Sequence, residues 1–184
     1  MADAAVRPAQ SDDVAVITRI HFDTWRTAYD GLLPPEVFER FDFPEAERAW
    51  ADAVEHAHVF LATEGEWTVG FVVAGSAPDQ EVQNADGTLP ADAETTALVS
   101  SLLVEPRWGR RGHGGRLVAT AAHALRDQGA TRAVVWIPEA DVASKSFYTR
   151  IGWAPDGTVR TLDAGGRPLR EIRMTGGLAL LLQH

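Results

Sequence analysis

The chain has 184 residues, 45% hydrophobic and 23% charged, with a formal net charge of −9 at pH 7; this predicts one soluble domain, 1–184, with a substantial core. The acidic balance argues against sequence-independent binding to nucleic acid, which requires Lys and Arg to neutralise phosphates. Because cysteine is absent, we exclude thiolate catalysis and Cys-based metal sites. His56 and His58 have no nearby carboxylates at ligand spacing, so we expect no metal site there either.

Helices are predicted in the first third of the chain. Ser11 to Asp13 offers a helix cap, and apolar residues then recur at helical spacing as far as about Asp30. A short second helix follows Pro34-Pro35, and a third spans Pro44 to His56. The start of the chain lacks the charged and then apolar pattern of a signal peptide, so we expect a cytoplasmic protein without a membrane partner.

From His58 onward the pattern changes to that of strands. Val59 to Ala62 and Trp67 to Ala74 predict a hairpin around a Glu-Gly-Glu turn. The polar segment Gly75 to Glu94 is long enough for a mobile excursion, which is ordinarily a solvated loop; a lid over an acceptor is the alternative. Thr95 to Val104 is the next predicted strand.

A glycine-rich turn follows this strand, within the segment Leu102 to Leu117. Glycine lets a ligand approach the backbone closely, and the N-terminus of the following helix presents unpaired N–H groups to an anion. The segment therefore predicts a phosphate-binding turn. It fits neither nucleotide motif, because no Lys-Ser or Lys-Thr follows the glycines, and Leu117 occupies the third glycine position of the dinucleotide fingerprint.

The last third of the chain predicts a strand, a helix and a closing hairpin. Ala133 to Ile137 is a short buried strand, and Asp141 caps a helix that Gly152 ends. Thr158 to Leu162 and Arg170 to Thr175 form the hairpin. This order of elements predicts one mixed α/β sheet.

Two motifs resemble those of the GNAT superfamily of acyl-CoA N-acyltransferases. The first is a pyrophosphate loop, R/Q-x-x-G-x-G/A after a strand ending V-x-P, which matches Val104 to Gly114 except that Gly109 replaces the usual Arg or Gln. The second, N-x-x-A/S-x-x-F-Y-x-K/R-x-G-F/W, matches Asp141 to Trp153, with Asp141 in place of Asn. Trp25 to Pro34 also looks like the opening segment of many bacterial members, so the resemblance covers nearly the whole chain.

The resemblance implies the GNAT fold, an α/β (α+β) architecture with a mixed, mostly antiparallel central sheet flanked by helices. It implies acetyl-CoA as cosubstrate, bound chiefly by backbone N–H groups of the turn, with Arg110 or Arg111 as candidates for the added positive charge. The implied cofactor-binding residues are Leu102, Leu103, Val104, Gly109, Arg110, Arg111, Gly112, His113, Gly114, Gly115, Asp141, Ser144 and Tyr148.

The implied reaction transfers the acetyl group to a primary amine of a small molecule or peptide, by direct attack in a ternary complex. By the resemblance, a backbone N–H near Leu103 or Val104 stabilises the oxyanion and Tyr148 protonates the CoA thiolate. Periodicity alone assigns Tyr148 to the core, whereas the matched motif favours catalysis. Trp25 and Tyr29, four apart on one helical face, either bound the acceptor pocket or pack in the core.

The general base is left open by the sequence. Many relatives carry Glu where Leu98 stands here, and an ordered water is one replacement for it. The remaining candidates are titratable side chains: Glu94, Glu139, His113 and His123.

Two alternatives keep the same fold. A non-catalytic acyl-CoA-binding sensor or regulatory module is favoured by Leu98 and disfavoured by the intact Tyr148. An enzyme that uses a longer acyl group or a non-amine acceptor is the other. The apolar end Leu178 to Leu182 also suggests a homodimer through the terminal strands.

Overall fold

The structure is a computed structural model that describes residues 3–31 and 33–180. Its strands are β1 Ala4–Pro8, β2 His58–Glu64, β3 Trp67–Ser76, β4 Thr96–Val104, β5 Arg132–Pro138, β6 Ala154–Asp163 and β7 Pro168–Gly177. Its α-helices are α1 Val14–Ala28, α2 Pro35–Glu39, α3 Phe43–His56, α4 Asp79–Val82, α5 His113–Asp127 and α6 Val142–Arg150.

The strands form one sheet in the order β1-β2-β3-β4-β5-β7-β6. Strand β4 runs parallel to β5, with α5 in the connection that such a crossover needs, whereas β1–β2, β5–β7 and β6–β7 are antiparallel. This mixed, mostly antiparallel sheet with helices confirms the predicted fold class.

Strand β1 is absent from the elements predicted from the sequence. Its five residues show no alternation of apolar and polar side chains that would distinguish a strand from an irregular terminus. The strand exists because it pairs antiparallel with β2, from Ala4 opposite Glu64 to Pro8 opposite Phe60. Its backbone groups are thus satisfied by a partner that lies more than fifty residues away in the sequence.

The chain divides into two compact units. The first comprises Met1–Val73 and Ser101–Ala121, and the second comprises Ala74–Ser100 and Ala122–His184. In the first unit, α1 and strands β2 and β3 contribute the buried cluster Ile17, Ile20, Val59, Leu61, Phe71 and Val73, against which α3 packs. The apolar side chains that recur at helical spacing in α1 therefore face the sheet, as their periodicity predicts.

In the second unit, β5, β7 and the residues after α6 form the core. Trp153 is 1% exposed and its indole N–H donates to the carbonyl of Gly177 at 3.2 Å. The ring lies where the Cβ of any larger residue at position 176 would stand, so Gly176 provides its space. The C-terminal residues 181–184, which include Leu181 and Leu182 of the predicted dimer segment, lie outside the described residues.

Part of the segment between β3 and β4 packs within the second unit, which corrects the expectation of a solvated loop for that part, whereas residues 84–89 are exposed. It contains α4, whose Val82 is 1% exposed. Arg160 donates to the carboxylate of Glu81 at 2.9 Å, and the buried Arg173 donates to the carbonyls of Glu81 and Gln83 at 3.0 and 2.8 Å. Polar groups of the segment therefore bond other residues of the fold, in addition to those that face solvent.

Candidate functional site

The glycine turn between β4 and α5 has an unusual backbone. A short 3-10 helix, Pro106–Trp108, precedes it, and the N–H of Gly109 donates to the carbonyl of Pro106 at 3.0 Å. Arg110 has φ +64° and Gly112 has φ +83°, both in the left-handed region. That conformation costs a non-glycine residue about 1–2 kcal/mol, and such strain concentrates at ligand-binding sites.

Helix α5 begins directly after the turn. Gly114 and Gly115 lie within its first turn, and the N–H of Arg116 donates to the carbonyl of Gly112 at 3.1 Å. The first N–H groups of an α-helix have no partner inside the helix, and the helix dipole is positive at this end. The turn therefore presents the features that the sequence predicted for a phosphate-binding turn.

A carboxylate from β2 bonds the side chains on both sides of Gly112. Arg111 donates from Nη1 to Oε1 of Glu64 at 2.9 Å, and the Nε2 of His113 lies 2.7 Å from the other carboxylate oxygen. The His113 side chain is 1% exposed. The hydrogen bond from His113, followed by that from Arg111, holds the pKa of Glu64 below its ordinary value. Sequence reasoning missed Glu64, whose only local signal is the Glu-Gly-Glu hairpin turn.

The arginines of the turn differ in their partners. The guanidinium of Arg111 lies 4.9 Å from the ring centroid of Trp108, and Arg107 lies 5.7 Å from the same ring while donating to Glu105 at 2.7 Å. Arg110 is exposed, and within residues 3–31 and 33–180 it makes no ion pair. Of the two candidates for the added charge, Arg110 is thus the unpaired one in the described part of the chain.

The end of β4 leads into the turn. Leu102, Leu103 and Val104 are each partly exposed. Strand β3 approaches closely, because a Cβ at Gly70 would lie 2.5 Å from the carbonyl oxygen of Leu103. The absence of a side chain there lets the two backbones pack together.

In the second unit, the second motif forms α6 and its cap. The carboxylate of Asp141 accepts from the backbone N–H of Ser144 at 2.9 Å and from its hydroxyl at 2.6 Å. This confirms the predicted cap. Both the N–H and the hydroxyl of Ser144 thus donate to the cap at the N-terminus of α6.

Tyr148 is the buried residue of α6. Its side chain is 3% exposed, and its ring packs on Trp153 at 5.3 Å and edge-on to Phe147 at 5.2 Å. Burial, with a further contribution from the charge of Asp141, raises the pKa of Tyr148 above its ordinary value. The phenol keeps its proton at neutral pH, as any tyrosine does, and the raised pKa makes it a weaker acid than an exposed tyrosine.

Known proteins match this chain over most of its length. A family model described as the acetyltransferase (GNAT) family matches residues 18–153. The chain belongs to the GNAT acetyltransferase family. The uncharacterized N-acetyltransferase YuaI of Bacillus subtilis is 30% identical over 169 residues, which are 91% of this chain and 89% of that protein. The match confirms the family and the acyltransferase class that the two motifs predicted.

Solved GNAT structures share the fold. PaiA N-acetyltransferase of Thermoplasma acidophilum, in complex with coenzyme A, has a TM-score of 0.73 at 14% identity and covers 95% of this chain and 99% of that one. YncA of Salmonella typhimurium, with its cofactor acetyl-CoA, has a TM-score of 0.69 at 19% identity and covers 99% and 96%. These likenesses show that this chain has the same fold.

The GNAT acceptor-wall candidates lie in an aromatic cluster of the first unit. Trp25 stands 6.0 Å from Tyr29 and 5.1 Å from Phe38, centroid to centroid. His21, which the helical spacing placed on the same face as Trp25, packs edge-on to Trp50 at 5.3 Å, and burial lowers its pKa. Both Trp25 and Tyr29 are partly exposed, so core packing and a pocket wall remain compatible with their positions.

The candidate bases have different surroundings. Glu139 pairs with Arg170 at 2.9 Å, and His123 is exposed beside Asp127 at 3.5 Å. His113 bonds the carboxylate of Glu64, and Glu94 is exposed in the short 3-10 helix before β4. Leu98, in the position where many GNAT relatives carry Glu, is partly exposed in β4 and offers no proton acceptor.

Residues 3–31 and 33–180 contain neither a metal-ligand cluster nor a membrane-spanning helix. Within these ranges, no group of three or more His, Cys, Asp or Glu side chains is arranged to hold a metal ion. Among the same residues, no helix combines the length and the apolar character needed to cross a membrane.

Proposed function

We propose that the chain is an N-acetyltransferase that moves the acetyl group of acetyl-CoA to a primary amine by direct attack in a ternary complex. The observation that carries the proposal is the turn of the first unit, where left-handed residues lead into an unpaired helix N-terminus. Family membership and the acetyl-CoA found in the YncA structure support the identity of the cosubstrate.

The turn binds the pyrophosphate of CoA through its backbone. Residues 109–115 supply N–H groups at the helix start, and left-handed residues between extended or right-handed ones form the concave nests that bind anions. The guanidinium of Arg110 adds the charge, because that of Arg111 is already paired with Glu64. This assignment accounts for the loss of the usual Arg or Gln at Gly109, since the backbone carries most of the binding.

The acetyl group is positioned along β4. Leu102, Leu103 and Val104 hold the pantetheine arm, and a backbone N–H near Leu103 or Val104 stabilises the oxyanion of the tetrahedral intermediate. Collapse of that intermediate breaks the carbon–sulfur bond and releases a thiolate. Tyr148, which carries its proton at neutral pH, then protonates the sulfur.

The amine loses its proton to water in this proposal. Leu98 accepts no proton, and Glu139 and His113 already have partners. An α-amine with a pKa near 8 is neutral about a tenth of the time at pH 7, so water suffices for it. A lysine-like amine is neutral only in a few molecules of every ten thousand, and is the harder acceptor.

Calorimetry with CoA and acetyl-CoA tests the first half of the proposal. We expect saturable one-site binding of both, and an absence of binding would contradict the pyrophosphate assignment. Release of free CoA during incubation of acetyl-CoA with a panel of small-molecule and peptide amines tests the second half. CoA binding without release for every amine would favour the non-catalytic sensor, to which Leu98 lends weight.

Three further predictions belong to this proposal. They are that the chain is one domain over 1–184, that it acts in the cytoplasm, and that it forms a homodimer through its C-terminal end. Size-exclusion chromatography with light scattering tests the last of them, and a monomer at micromolar concentration would contradict it.

A further inference from the structure

Glu64 is the one acidic side chain bonded to the glycine turn within residues 3–31 and 33–180. It ends β2, and its two carboxylate oxygens bond residues 111 and 113, on opposite sides of Gly112. The contacts join parts of the first unit that are 47 and 49 residues apart in sequence. A carboxylate beside a proposed diphosphate site opposes anion binding by charge, so its presence needs another reason.

The two bonds fix the turn from both sides. A carboxylate only accepts, so Nε2 of His113 carries the proton in this bond, which sets the orientation of a buried ring at the first residue of α5. The guanidinium of Arg111 is held against the other oxygen and against the Trp108 ring. Between them, Gly112 has the most freedom of any residue type and takes a left-handed conformation.

We propose that Glu64 is a positioning residue which holds the pyrophosphate-binding turn in its binding conformation by bonding Arg111 and His113 across Gly112. This rests on the proposed function of the turn. The carboxylate aligns the backbone N–H groups of residues 109–115 before the ligand arrives, so that CoA does not have to order them. The side chain itself does not touch CoA.

The benefit of an ordered turn outweighs the repulsion between the Glu64 carboxylate and the diphosphate. The charge of Glu64 is compensated by Arg111 at 2.9 Å, with the His113 ring on the other oxygen, so little net negative field reaches the ligand. Loss of alignment affects every N–H that bonds the diphosphate at once. Removal of Glu64 therefore weakens binding even though it removes a negative charge.

The test compares Glu64→Ala and Glu64→Gln with Asp13→Ala. Asp13 is a matched control in the same unit, because its carboxylate accepts two bonds from Arg7 at 2.7 and 2.8 Å and is 13% exposed, against 15% for Glu64. Calorimetry gives the CoA dissociation constant of each variant. Hydrogen exchange of the peptide covering 109–115 reports the order of the turn, and urea unfolding reports stability.

We expect Glu64→Ala to weaken CoA binding about tenfold, the factor that one lost charge-assisted hydrogen bond commonly represents. Exchange in the turn should rise in the same variant. Glu64→Gln should lie between it and the wild type, because the amide oxygen accepts from only one of the two donors. Asp13→Ala should lower the urea midpoint but leave both CoA binding and exchange in the turn unchanged.

Unchanged or tighter CoA binding by Glu64→Ala would overturn the proposal, and so would an equal loss in Asp13→Ala, which would indicate a general effect of destabilisation. Failure of the wild-type protein to bind CoA would instead overturn the proposed function. In that case, faster exchange in the turn of Glu64→Ala would still support the role of Glu64 in ordering it.

Discussion

The turn of the first unit exposes its backbone, whereas α6 of the second unit buries a side chain. Gly109, Arg110 and Gly112 are exposed, and what they offer a ligand is N–H groups that every residue except proline possesses. Tyr148 is 3% exposed and offers a single hydroxyl. A backbone site tolerates changes of side chain provided that the conformation survives, while a site made of one hydroxyl does not.

The same contrast applies to how each region is held. The turn is fixed by one carboxylate near the surface, whereas the second unit contains a buried arginine network around Arg173. Changes in the turn, and at the carboxylate that holds it, should therefore affect CoA affinity more than folding. Changes in the second unit should affect folding or turnover more than CoA affinity.

The largest expected effect is on folding, from Arg173→Ala. This side chain donates to Asp156 at 2.6 Å, to Thr158 at 2.9 Å and to two backbone carbonyls, and its loss leaves a partly buried carboxylate unpaired. We expect a loss of about 3 kcal/mol in the free energy of unfolding by urea. The control Arg170→Ala breaks an exposed pair with Glu139 and should cost less than about 1 kcal/mol.

A loss of similar size in both variants would mean that burial does not distinguish the two arginines. A loss below about 1 kcal/mol in Arg173→Ala would show that the network relaxes around the missing side chain.

The next effect is on turnover, from Tyr148→Phe. The substitution removes only the hydroxyl from a buried ring, so packing on Trp153 is retained. We expect steady-state turnover to fall at least about tenfold with the CoA dissociation constant nearly unchanged, as for a lost general acid. Turnover within about twofold of the wild type would assign Tyr148 to the core and the proton to another donor.

Arg110→Ala and Arg111→Ala test the charge of the turn, with a smaller expected effect. Arg110 makes no ion pair among the described residues, so its removal should weaken CoA binding about fivefold at low ionic strength, and the loss should shrink as salt rises. Because Glu64 cancels the charge of Arg111, the loss from Arg111→Ala should depend little on salt. The opposite salt dependence would assign the ligand charge to Arg111.

The smallest expected effect is on stability at acidic pH. Bonds from Arg7 hold the pKa of Asp13 below its ordinary value, and those from His113 and Arg111 do the same for Glu64. A lowered folded-state pKa contributes stability that is present above about pH 4 and is lost as the pH falls through the folded value. Urea midpoints should therefore drop below pH 4, and Asp13→Asn should reduce that drop. An identical pH profile in Asp13→Asn would exclude this pair as a source.

Motifs and local patterns were enough to predict much of the fold and part of the site. The cap at Asp141, the hairpin around Gly65 and the glycine turn depend on interactions between residues a few positions apart. Such interactions can be predicted from the sequence alone. The resemblance of the two motifs to those of the GNAT family was confirmed over residues 18–153. The catalytic role of Tyr148 stays a prediction.

The sequence by itself determined most of the helices and strands, the glycine turn and the capped helix, because periodicity, glycine and capping side chains act over one or two turns of chain. Only the tertiary structure decided that β1 pairs with β2, that Glu64 bonds both sides of Gly112, and that Arg173 holds the segment around α4. Each of these contacts joins residues more than forty positions apart. Charge and hydrogen-bonding capacity are visible in a sequence, but the partner is selected by the fold.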